Sequence, residues 1–130
     1  MKNDINGHDD VRLMVDEFYA KVQQDELLSP VFDRAIGNRW GAHLQKMYDF
    51  WETVLFCARL YSGSPFMKHA PLPLSAEHFE RWLHHFNDTI DQLFEGEKAD
   101  EAKWRAGKMA ELFSAKMNYT AGNENRSLLK

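Results

Sequence analysis

The chain has little of what would tie it to a membrane, to nucleic acid or to an oxidising compartment. It carries one cysteine, Cys57, so no intramolecular disulfide can form. Cys57 lies in an apolar stretch and reads as a small buried hydrophobe. No run approaches the roughly 20 apolar residues that span a bilayer, and the N-terminal MKNDINGHDD lacks the apolar core of a signal peptide. The cytoplasm is the expected compartment. Sixteen Lys and Arg against 20 Asp and Glu give a formal charge of -4. With no basic surplus, neither nucleic acid nor a membrane surface is an expected partner. Also missing are a cysteine pair or HExxH for zinc, Glu-x-x-His on facing helices for a di-iron site, a glycine-rich phosphate loop and a nucleophile elbow. Any chemistry therefore needs a cofactor.

What is present describes an ordinary globular chain with one excess. Apolar residues make up 44% and charged residues 28% of 130, while aromatics reach 13%. That length suits one domain with one core. Residues 1–130 are read as a single unit, with an ordered core over about 9–118 and a polar tail over about 119–130. No alternating strand pattern or internal repeat interrupts it, so the expected class is all-α.

Four long helical patterns are legible. Val11, Met14, Val15, Phe18, Tyr19 and Val22 recur at helical spacing after Asp9 or Asp10, either of which can cap. Pro30 interrupts this helix and can open a short new one through Val31 and Phe32, before Gly37. Asn38 is a plausible cap for a second pattern through Trp40, His43, Leu44, Met47, Phe50, Trp51, Val54 and Leu55, ending near Ala58. Residues 59–75 carry Pro65, Pro71 and Pro73 and leave room for at most one turn, around Phe66 to His69. Ser75 can cap a third helix with Phe79, Trp82, Leu83, Phe86, Ile90, Leu93 and Phe94 inward until Gly96. A fourth, from about Glu97, turns Ala99, Ala102, Ala106, Met109, Ala110, Phe113 and Met117 inward, and Gly122 marks a frayed tail.

His69 stands at the end of an apolar turn in PFMKHAPLPL, with two prolines just beyond. A carbonyl at a helix end can accept the Nδ1 proton of a nearby imidazole and leave Nε2 for a metal. On spacing alone a histidine in a surface loop explains it as well. Tyr19, His43 and Trp82 lie on apolar stripes of three different helices, and each has a polar tip that burial would leave in need of a partner. Ordinary core packing accounts for each taken singly. His8, His78, His84 and His85 read as solvent-facing.

Taken together, Phe18-Tyr19, Leu28-Ser29-Pro30-Val31-Phe32, Phe50-Trp51, PFMKHAPLPL and Arg81-Trp82-Leu83 resemble the group III truncated haemoglobins, over residues 11–117. The resemblance implies a truncated globin fold, a two-over-two helical sandwich around one haem b. It implies His69 as iron ligand, Tyr19 and Trp82 as distal donors, and His43 as a distal histidine that gates entry. Phe18, Phe32, Phe50 and Trp51 match aromatic positions walling the pocket. Met47 stands where relatives often carry a branched aliphatic residue, and its flexible thioether leaves the resting iron coordination open. Lys46, three residues past His43 on nearly the same face, is a candidate partner for the haem propionates.

The implied ligands are oxygen, nitric oxide and carbon monoxide. Two donors on one ligand slow its release, which favours chemistry such as peroxide reduction or nitric oxide oxidation, supplied by a reductase, over oxygen transport. The alternative is a haem-based gas sensor or partner-binding module without catalysis.

Overall fold

Five helices account for the regular structure, and no strand occurs among the described residues, which in this computed structural model are 2–56 and 75–129, with side chains through 115. They are α1 (His8–Gln24), α2 (Leu28–Ile36), α3 (Trp40–Phe56), α4 (Ala76–Leu93) and α5 (Glu97–Leu129). α1 packs against α3 and α4 against α5, while α1 also lies along α4, so one pair covers the other in a two-over-two sandwich. Cys57, His69 and the turn expected at residues 66–69 lie outside the described residues. No described helix is long and apolar enough to cross a membrane.

The apolar stripes read from the sequence form the core. All six α1 positions are buried, as are Met47, Phe50, Trp51 and Leu55 of α3 and Phe79, Phe86 and Ile90 of α4. Ala99, Ala102 and Ala106 are buried on α5, and such small residues allow close approach of α5 to the other helices. Tyr48 and Glu52 are also buried, outside the expected stripe. Their polar ends meet α1 and its start: Tyr48 Oη donates to Asp16, and Glu52 meets His8 Nδ1.

Helix ends differ from the expected caps for local reasons. α1 begins at His8, with Gly7 at the cap, so Asp9 and Asp10 sit in the first turn. Asp10 instead reaches back to accept from the Asn6 N–H at 2.8 Å. α3 begins at Trp40 rather than just after Asn38. The preceding Arg39 turns its guanidinium onto the Ile36 and Ala35 carbonyls at the end of α2, at 3.3 and 2.9 Å. Ser75 does cap α4, exchanging bonds with His78 Nδ1 at 3.0 and 2.8 Å. α4 ends at Leu93, and α5 continues through Gly122 to Leu129, past the point where the sequence suggests a tail.

The start of α5 is capped from far away. Asp4 accepts from the backbone N–H of Lys98 and Ala99, both at 2.8 Å, taking up two of the orphan donors of a helix N-terminus. The backbone N–H of Glu95 donates to the Asn3 carbonyl at 3.0 Å, so residues 3 and 4 form a strap across the α4–α5 corner. Gly96 turns that corner at φ +147°, and a Cβ there would come within 2.5 Å of Asp4 Cγ. Glycine is required by both the backbone and the strap.

Candidate functional site

Two clefts share the Phe32 ring, and they differ in chemistry. The first is an apolar cleft, open at its mouth, between α2 and α3 on one side and α4 and α5 on the other. Leu28 and Phe32 of α2, with Met47, Phe50 and Trp51 of α3, line one side; His78, Phe79 and Trp82 of α4, with Met109 and Phe113 of α5, line the other. The second cleft, between α2 and α3, is lined by Phe32, Ala35, Ile36, Arg39, Ala42, His43 and Lys46. Its charged side chains are both cationic, Arg39 and Lys46.

Phe32, Met47, Phe50, Trp51 and Trp82 thus come together on the apolar cleft, and His43 and Lys46 on the basic one. Phe18 and Tyr19 line neither and stand behind them. Tyr19 meets His43 edge-on at 5.1 Å, Phe32 at 6.2 Å and Trp40 at 5.8 Å. Phe18 joins Tyr19 at 4.8 Å to Trp82 at 5.6 Å. Trp82 stacks on Phe86 at 6.0 Å, and Phe86 stacks on Trp51 at 4.8 Å. A continuous run of rings therefore links His43 to Trp51 by way of α1 and α4.

Burial pushes the Tyr19 phenol well above its ordinary pKa; like any phenol it carries its proton at neutral pH and is a donor. Asp25, at the corner between α1 and α2, shifts the other way. Burial opposes its ionisation, but bonds from His85, from the Leu28 and Leu27 backbone and from Arg81 outweigh that and hold its carboxyl far below the usual range. His85 is therefore not the solvent-facing residue its spacing suggests: its Nε2 lies 2.6 Å from Asp25 Oδ2. His8 is exposed as expected while also bound to Glu52, whereas His78 is half-buried, holding Ser75 and lining the apolar cleft.

Haem is an amphiphile, an apolar macrocycle carrying two carboxylates, and the residues present fit it. An apolar cleft adjoins a cationic one across a shared ring, so the flat body and its anionic edge each meet suitable chemistry. Arg39, Met109, Phe79 and Phe113 belong to this site but were not singled out from the sequence. The α4 and α5 residues read as core stripe, and Arg39 falls between Asn38 and Trp40, off every apolar stripe. No group of three or more metal-binding side chains occurs among the described residues.

Comparison with known proteins agrees with the geometry. The family model described as bacterial-like globin matches residues 2–118. The chain is 32% identical over 117 residues to the group 3 truncated hemoglobin ctb of Campylobacter jejuni subsp. jejuni serotype O:2, covering 87% of this chain and 92% of that protein. The crystal structure of a group III truncated hemoglobin from Campylobacter jejuni superposes with a TM-score of 0.83 at 30% identity, covering 90% of this chain and 95% of the other. The matched length, the identity and the superposed fold together place the chain in the bacterial-like globin family, among the group III truncated haemoglobins.

Proposed function

We propose that this globin holds haem b through His69 and works on small diatomic ligands rather than carrying them. As a globin it binds haem and, at haem, diatomic gases. The observation that carries the finer reading is the pairing of the apolar cleft with the basic one across Phe32. Haem, when bound, supplies an iron that coordinates oxygen, nitric oxide or carbon monoxide.

The chain's own residues do the rest. Phe32, Phe50, Trp51 and Met47 exclude water from the macrocycle, while Lys46 and Arg39 receive the propionates. Trp82, on the cleft wall, and Tyr19, behind it, are the hydrogen-bond donors toward the ligand. His43, at the second cleft and edge-on to Tyr19, stands on the path by which a ligand enters. Donors that hold a ligand this firmly suit peroxide reduction or nitric oxide oxidation, with electrons from a reductase, better than release of oxygen.

The test is an optical spectrum of purified protein in ferric, ferrous and CO-bound forms. Wild type should show a Soret band with its ligand-dependent transitions, and His69→Ala should lose or alter them. A chain that takes up no haemin on reconstitution would falsify the reading. So would a spectrum left unchanged in His69→Ala.

A further inference from the structure

The carboxylate of Asp25 gathers more partners than its place in a turn requires. Its Oδ1 accepts from the backbone N–H of Leu27 and Leu28 at 2.8 and 3.0 Å, which starts α2. The same oxygen accepts from Arg81 Nη1 at 3.2 Å, and Oδ2 lies 2.6 Å from His85 Nε2. The Asp25 side chain is only 7% exposed. One carboxylate thus ties the end of α1, the start of α2 and one turn of α4 together.

That turn carries Trp82. Arg81 and His85 are one helical turn apart, and Trp82 lies between them in sequence, so its backbone is gripped on both sides. The contacts of Trp82 itself are rings, Phe18 edge-on and Phe86 stacked. Apolar packing is non-directional and leaves α4 free to slide or turn slightly against α1. Charge-assisted hydrogen bonds to a buried carboxylate do not. A further side-chain tie between α1 and α4 among the described residues, from Lys21 Nζ to Thr89 Oγ1 and Gln92 Oε1, is at the far end of α4.

We infer that Asp25 is a positioning residue: by gripping Arg81 and His85 from the α1–α2 corner, it sets where Trp82 stands on the wall of the apolar cleft relative to Tyr19. The inference rests on the reading of that cleft as the haem pocket. Asp25 touches neither cleft, so it acts on a ligand only through the helix that bears Trp82.

The experiment compares His85→Leu, His85→Gln and Lys21→Met with wild type as the haem-loaded CO form, following the Trp82 indole 15N–1H resonance, assigned by Trp82→Phe. His85→Leu should shift that resonance and raise the oxygen dissociation rate about tenfold, the scale of one hydrogen bond to a charged group. His85→Gln, which keeps a donor for Asp25, should restore both toward wild type. Lys21→Met should destabilise α4 without moving either readout. An unmoved resonance in His85→Leu, no rescue by glutamine, or an equal response to Lys21→Met would each overturn the inference. If the protein takes up no haem, the pocket reading fails, and the indole shift measured in the same variants still decides the role of Asp25.

Discussion

Tyr19 illustrates how much one buried hydroxyl can carry. Its ring is packed on four aromatic neighbours, so Tyr19→Phe keeps the packing and removes only the donor. Oxygen dissociation should then accelerate by about tenfold or more, the effect of losing roughly 1.5 kcal/mol of hydrogen bonding, while thermal stability stays within about 1 kcal/mol. Stopped-flow displacement of oxygen by carbon monoxide reads the rate. Arg39→Ala with Lys46→Ala should do the opposite: haem transfer to an acceptor apoprotein quickens, and the oxygen rate stays near wild type. At this scale the sequence was informative where a residue lies on a stripe. Phe18, Tyr19, Phe32, Phe50, Trp51 and Trp82 could be placed from spacing and resemblance. Asp25, Arg39 and His85 could not: the ties of Asp25 to Arg81 and His85 are set by how helices meet, and the bonds of Arg39 to the Ile36 and Ala35 carbonyls, though local, follow no apolar spacing.

At the scale of elements, capping decides what can be read. Ser75 and His78 are three residues apart, so the start of α4 is written locally. Asp4 caps α5 from the opposite end of the described chain, and nothing near Glu97 announces it. Asp4→Ala should cost about 1–2 kcal/mol, the usual scale of a lost cap, seen as a lower urea midpoint with an unchanged slope. Gly96→Ala should cost more than about 1 kcal/mol, since a methyl group there meets both a positive φ and Asp4. The apolar periodicity of all four long helices was legible because each buries one stripe and exposes the other. Apart from the Ser75 start of α4, their N-terminal ends were not, since Gly7, Arg39 and the Asp4 strap stand where other caps were expected.

For the whole molecule, the lowered pKa of Asp25 makes stability depend on acid. A carboxyl with a depressed folded pKa stabilises the fold above its unfolded pKa, near 4, and that contribution fades as the pH falls from there toward the folded value. Asp25→Asn should therefore be less stable at pH 7 and show a flatter decline below about pH 4, measured by urea unfolding at stepped pH. Asp4, also lowered, adds to the wild-type slope. The two-over-two arrangement itself was expected from the resemblance, and helix periodicity supports its all-α class without specifying which pairs stack.

The Asp4 strap has a further consequence, for the time the folded chain lasts. Its bonds join residues 94 and 95 positions apart, and closing so long a loop is entropically slow. Contacts that close late in folding, when lost, leave the refolding rate nearly unchanged and speed unfolding, and the long separation of Asp4 from its partners leads us to expect that behaviour here. Asp4→Ala should move only the unfolding limb of the chevron. On that expectation the strap serves as a latch on the α4–α5 corner, lengthening the life of the folded chain rather than hastening its formation.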